Sequence, residues 1–213
     1  MDIETRYNVK VDERKVSAFI NNIAARAKEL KDKNLFRKIF SLIDLTSLDV
    51  ADTDKKILGM VQKVNKFSER FNEIPNVAAI CIYPTFVPLL NDNLKDKSVK
   101  KATVAASFPS SQAYSDVKLL EVKRVVEEGA DEVDIVMPVG KFLEGRYEEI
   151  YDEIVAIKNI LGERHLKVIL ETGTLKDLEK IKFASFLCME AGADFIKTST
   201  GKTVREHPPK PYM

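Results

Sequence analysis

Apolar and polar positions in this chain follow two rhythms in turn. From Asp12 to Leu30, Val16, Phe19, Ile20, Ile23, Ala27 and Leu30 fall at helical spacing, which predicts an amphipathic helix ahead of the main fold. Lys28 to Lys38 reads as a charged connector. From Ile39 onward short apolar runs alternate with longer amphipathic stretches. The runs are Ile39–Ile43 (ending in Asp44-Leu45-Thr46), Val77–Ile82, Lys101–Ala106, Val133–Met137, Leu166–Leu170 and Phe195–Lys197, each predicted as a strand. The stretches between them predict helices. One carries Ile57, Leu58, Val61, Val64 and Phe71 behind a cap at Asp52 or Thr53. A short helical turn follows at Phe86–Leu90. Ser111–Glu128 presents Val117, Leu120, Val125 and Val126 inward and stops at Gly129. Tyr147–Leu161 presents Ile150, Ile154, Ile157 and Leu161 and stops at Gly162. Asp177–Ala191 presents Leu178, Ile181, Leu187 and Cys188 and stops at Gly192.

Six strands alternating with helices predict an α/β fold with a parallel sheet and helical crossovers. The strands are nearly continuous apolar runs, as in a sheet covered on both faces. No glycine-rich dinucleotide loop follows the first strand, and polar residues gather at strand C-terminal ends. Both features favour a (β/α)8-type barrel, here with about six units, over an open doubly wound sheet. The expected division is an N-terminal helical extension at residues 1–38, the incomplete barrel at 39–202 and a polar, proline-rich tail at 203–213.

Composition narrows the function classes. A net charge of +1 gives no basic surface for nucleic acid and none for a membrane. No apolar run is long enough to span a bilayer, and the N-terminus does not begin like a signal peptide, so the cytoplasm is the expected compartment. Two cysteines, both inside apolar runs, and two histidines supply neither a disulfide framework nor a metal site.

Against that background Lys197 stands out, because it ends an apolar strand and leads into Thr198-Ser199-Thr200-Gly201-Lys202. A lysine there pairs with an acid, snorkels outward, or loses its proton; in the last state it is a nucleophile suited to a Schiff base with a carbonyl. A repeated register points to its partner: Asp134 lies five residues after Gly129, and Lys197 five after Gly192. In a barrel, alternate strands share an interior layer, so the two are expected to face each other. Asp44 and Lys167 are further charges at the strands, and Thr46 shares a face with Asp44. Schiff-base chemistry uses such a set: a desolvated lysine attacks and a carboxylate moves protons. Thr200, Gly201 and Lys202 fit a phosphate nest, with Lys202 remaining charged. A structural ion-pair network in the barrel centre accounts for the same residues without reactivity.

These stretches resemble the 2-deoxyribose-5-phosphate aldolases, class I aldolases of the (β/α)8-barrel class. The resemblance rests on Ala193–Lys202, Leu42–Thr46, Ala79–Pro84, Glu132–Val136 and Leu166–Gly173, in family order from about Phe40 to Lys202. It implies Lys197 as the Schiff-base lysine and Asp134 as the proton-relay acid. Asp44, Thr46, Cys81 and Lys167 would line the site, with Gly201-Lys202 in the phosphate site. The implied reaction is reversible cleavage of 2-deoxy-D-ribose 5-phosphate to acetaldehyde and D-glyceraldehyde 3-phosphate, without metal or organic cofactor, in a protein for which a homo-oligomer is compatible. The family continues with two further strands, one bearing a second lysine in a Gly-Phe-Lys-Pro-Ala-Gly-Gly-like motif and one a Gly-Ala-Ser-Ser-like phosphate loop. This sequence leaves that pattern after about Lys202, so a C-terminally shortened aldolase of weak activity is expected. The alternatives are an inactive barrel fragment with a structural or interaction role, and a Schiff-base aldolase for another sugar phosphate.

Overall fold

A computed structural model describes residues 6–203; the expected proline-rich tail, apart from Thr203, lies outside them. Helix α1 (Glu13–Glu29) starts where the Asp12 carboxylate accepts hydrogen bonds from the Arg14 and Lys15 N–H groups. Its apolar stripe is real, but none of its residues is fully buried. Helix α2 (Lys33–Phe40) follows, capped by Asp32 through the Asn34 N–H, and strand β1 is confined to Asp44–Thr46. This corrects two sequence expectations: Lys28–Lys38 is not simply a connector, and Ile39–Ile43 is not a strand. Phe36, Ile39 and Phe40 are spaced for a helix as well as for a buried strand, and the ring of Phe40 stacks on Phe67 with centroids 5.1 Å apart.

The remaining elements run α3 (Asp54–Arg70), β2 (Ala79–Ile82), a 3-10 turn (Pro84–Phe86), α4 (Val87–Asn93), β3 (Lys100–Val104) and α5 (Ser115–Glu127). Then come β4 (Glu132–Val136), α6 (Val139–Leu143), α7 (Tyr147–Leu161), β5 (His165–Ile169), α8 (Thr172–Leu175), α9 (Leu178–Glu190) and β6 (Phe195–Lys197). Thr53 is the residue that caps α3, through the Lys56 N–H. The short helices α6 and α8 lie in strand-to-helix loops where no sequence periodicity announced them. Helix α5 turns Val125 and, in part, Val126 inward as expected, but Val117 and Leu120 are exposed and Lys118 and Val122 are buried instead.

The six strands are parallel and ordered β1-β2-β3-β4-β5-β6, a curled half-barrel with helices on its outer side. Alternation along each strand divides the side chains between two faces. Outward residues of β2 pack with α3 and α4 around Ile57, Val61, Ile80, Ile82 and Leu90. Outward residues of β4 and β5 pack with α5, α7 and α9 around Val122, Val133, Ile154, Val168 and Leu187. Ile154 is fully buried there, a burial that contributes roughly 1.5–3 kcal/mol. The inward residues Ala79, Cys81, Ala102 and Val104 are small and pack with Leu48, Tyr83 and Phe108, which leaves the longer inward side chains of the other strands room to meet.

Candidate active site

Register brings the inward charges together. Asp134 pairs with Lys167 across β4 and β5, Lys167 with Phe195 across β5 and β6, and Lys197 with Ile169. Lys197 therefore sits two residues further along than Asp134 over two strands. In a tilted, sheared sheet that stagger keeps the two at one height.

Their side chains touch: the Lys197 Nζ lies 2.5 Å from Asp134 Oδ2 and 3.6 Å from Asp44 Oδ2. The Lys167 ammonium lies 2.7 Å from Asp44 Oδ2, 2.6 Å from Glu132 Oε2 and 4.0 Å from Asp134 Oδ1. Glu132 belongs to this cluster although sequence reasoning passed over it. The signal was available, since Glu132 and Asp134 are two apart on one strand and so share a face. Its other oxygen meets His165 Nδ1 at 2.9 Å.

Burial differs sharply across the cluster. Asp134 is 1% exposed, whereas the Lys197 side chain keeps 31% of its surface accessible at the open side of the sheet. Burial pushes the Asp134 carboxyl above its usual range, against the opposing pull of Lys197 and Lys167. For Lys197 burial alone favours the neutral amine, but Asp134 outweighs it and the amine is held above its ordinary value. Lys167 behaves the same way, burial being overcome by Asp134, Asp44 and Glu132. Of the three states open to Lys197 from the sequence, the structure shows the acid-paired one, with the ammonium held by Asp134.

The other candidates divide. Cys81 is buried on the inner face, and burial, reinforced by Asp134, pushes its thiol up to about 12, so it is an uncharged wall of the site. Thr46 is exposed, and its hydroxyl donates to the Asp44 carbonyl at 3.1 Å; it lies beside the cluster without hydrogen-bonding to the lysines. Thr200 is drawn into its own loop, its hydroxyl donating to Glu171 Oε2 at 2.6 Å and accepting from the Lys202 N–H at 3.0 Å. Gly201 makes that turn possible with φ +73°. The Lys202 ammonium donates to the Leu48 carbonyl, tying the loop after β6 to the loop after β1 across the mouth of the sheet.

Backbone strain gathers at the same end. Ala106, Ser107 and Ser111 after β3 and Glu171 after β5 all adopt positive φ, a conformation costly for residues other than glycine and frequent at working sites.

A carboxylate grips a lysine amine inside a parallel half-barrel, and comparison with known proteins gives that arrangement its family. The family described as DeoC/LacD family aldolase matches residues 38–211. The chain belongs to that family. A Caenorhabditis elegans protein provisionally named deoxyribose-phosphate aldolase is 34% identical over 198 residues, which are 90% of this chain and 63% of that protein. A crystal structure from Coccidioides immitis, provisionally named the same way, superposes with a TM-score of 0.71 at 30% identity, covering 79% of this chain and 62% of its own. The deoxyribose phosphate aldolase of Aeropyrum pernix, described as tetrameric, superposes with a TM-score of 0.65 at 27% identity, covering 79% of this chain and 67% of its own. The aldolase-family chain thus spans 63% of the curated relative's length. No helix among its described residues is long and apolar enough to cross a membrane.

Proposed function

We propose that this aldolase-family chain carries the Schiff-base half of a class I aldolase acting on 2-deoxy-D-ribose 5-phosphate. The observation that carries the reading is the contact of Lys197 Nζ with Asp134 Oδ2 at 2.5 Å, on the inner face of the parallel sheet. Lys197 gives its proton to Asp134 and attacks the open-chain aldehyde carbon. Asp134 then returns a proton to the carbinolamine oxygen, which leaves as water. In the resulting iminium, the C2–C3 bond breaks as the C3 hydroxyl loses its proton. The bonding electrons pass into the enamine, and C3 becomes the aldehyde of glyceraldehyde 3-phosphate. Protonation of the enamine carbon and addition of water release acetaldehyde and regenerate the amine. The imine itself is the electron sink, so the scheme needs no metal or organic cofactor.

Roles for the remaining residues follow from position. Asp44 and Lys167 set the charge around the relay pair, Cys81 walls it, and Thr46 lies at its rim. Thr200, Gly201 and Lys202 lie on the loop where the substrate phosphate would rest, once Lys202 releases the Leu48 carbonyl. The domain division at residues 38 and 202, a cytoplasmic location and a homo-oligomer accompany this reading.

A second reading, an inactive barrel piece with a structural role, is favoured by one observation: Lys197 and Lys167 are both ion-paired to carboxylates of the inner face, as in a structural charge network. Product formation separates the two. Purified protein with 2-deoxy-D-ribose 5-phosphate is expected to release glyceraldehyde 3-phosphate slowly, with release abolished in Lys197→Ala. Release at the same rate in parent and variant, or none from either, favours the structural reading. Release from a different sugar phosphate alone moves the substrate assignment.

A further inference from the structure

We infer that Glu132 is a positioning residue, which holds the Lys167 ammonium off Asp134 so that Asp134 grips Lys197 with one oxygen and keeps the other free. The inference rests on the roles given above to Lys197 and Asp134.

Three carboxylates and two ammonium groups share the inner face. Lys197 is faced by Asp44 from β1, Cys81 from β2, Asp134 and beyond it Glu132 from β4, and Lys167 from β5; β3 contributes Ala102 and Val104, with Lys100 of the same face exposed at the start of the strand. In such a set a lysine moves to the strongest available pairing, and Asp134 Oδ1 is an attractive one. Oδ1 is the buried side-chain polar atom left without a hydrogen-bond partner among the described residues. Yet Lys167 stays 4.0 Å from it while pairing with Glu132 at 2.6 Å and Asp44 at 2.7 Å.

Glu132 can exert that pull because it is itself clamped. It lies two residues before Asp134 on the same strand face, so it draws Lys167 away from the mouth of the sheet. Its second oxygen is fixed by His165 Nδ1 at 2.9 Å. The His165 ring in turn packs edge-on against Phe195, with centroids 5.4 Å apart, and the Lys167 ammonium lies 5.8 Å from that same ring. Glutamate, imidazole and phenyl ring together seat Lys167 low in the sheet, and Asp134 Oδ1 is thereby reserved for a proton or a water from the reacting carbonyl compound.

Neutralising Glu132 releases Lys167 toward Asp134, where it competes with Lys197 for the carboxylate and makes the Lys197 amine easier to deprotonate. Trace acetylation with acetic anhydride, read lysine by lysine by mass spectrometry across pH, measures this without requiring aldolase activity, since only the unprotonated amine reacts. In Glu132→Gln the Lys197 midpoint is expected to fall by about one pH unit. In a Lys167→Met background the same substitution is expected to leave the midpoint in place, because the effect passes through Lys167. An unchanged midpoint in Glu132→Gln, or an equal shift in both backgrounds, overturns the inference. If Glu132→Gln does not fold, Glu132→Asp serves instead. It keeps the charge but is too short to hold His165 and Lys167 together, so a smaller downward shift is expected and no shift overturns. Borohydride trapping with acetaldehyde on the same samples reports the aldolase reading separately: its failure on the parent protein defeats that reading and leaves the acetylation result standing.

Discussion

Asp134 and Lys197 show how one contact can hold a half-buried amine in its charged state. The lysine sits where burial favours a free amine, and the carboxylate beside it reverses that preference. Asp134→Asn removes the charge and keeps the shape. The Lys197 acetylation midpoint is expected to fall, because burial and Lys167 remain while the main stabilising anion is gone. Imine formation at pH values where the amine is free is nevertheless expected to slow by on the order of 10²–10⁴-fold, since the proton carrier is lost. A lower midpoint with an undiminished limiting rate would remove Asp134 from the relay. Lys197 and Asp134 were legible in sequence because each is a charge inside an apolar strand at a matching distance from a glycine. Glu132 was less so. It opens its strand directly after Asp131, where a glutamate looks like a solvated flank until strand register shows it two places below Asp134.

The elements were legible where one period dominated. Helix α7 and strand β6 have the bounds that their patterns predict, and β2, β3, β4 and β5 fall within two residues at either end. The α2 region failed because apolar residues at Phe36, Ile39, Phe40, Leu42 and Ile43 satisfy a helix and a buried strand equally, and the Asp32 cap decides between them. The inner face of α5 failed for a different reason. Its centre is a lysine, and hydrophobic patterning places lysines outside. Lys118 is buried because its ammonium meets Glu153 Oε1 of α7 at 2.8 Å and the Ser111 hydroxyl at 3.0 Å, while the Ser115 hydroxyl donates to the other Glu153 oxygen at 3.3 Å. Removing Lys118 takes away the close buried partner of Glu153 and leaves it the Ser115 hydroxyl and, at 3.9 Å, the Lys141 ammonium. Lys118→Met is expected to cost about 3–5 kcal/mol in chemical denaturation, with much of it recovered in Lys118→Met/Glu153→Leu. A loss within 0.5 kcal/mol, the range of an ordinary surface change, would show that water reaches the pair.

At the scale of the molecule the sheet is a half-barrel that places its charged residues on one inner face and its apolar bulk outside. Among the described residues, β1 and β6 each pair with a strand on one side only, and the Lys202 to Leu48 link is the described contact between their following loops. The two inner lysines also make the fold sensitive to alkali. Both have folded pKa values above the ordinary 10.5, so their stabilisation is fully present below that value and is lost as pH rises through the raised ones. Melting temperature followed by circular dichroism is expected to fall through this alkaline range, and less steeply in Lys167→Met. A curve of the same slope in both proteins would mean that the inner cluster does not supply the linkage. The central claim, that Lys197 is the amine that takes the carbonyl, is tested most directly by covalent capture. The folded protein is incubated with acetaldehyde or 2-deoxy-D-ribose 5-phosphate, reduced with borohydride, and the adduct located by peptide mass. The account predicts label concentrated on Lys197, increasing with pH as the ammonium deprotonates, and absent from Lys197→Ala. Label spread evenly over the surface lysines, with Lys197 no more reactive than they are, would contradict it.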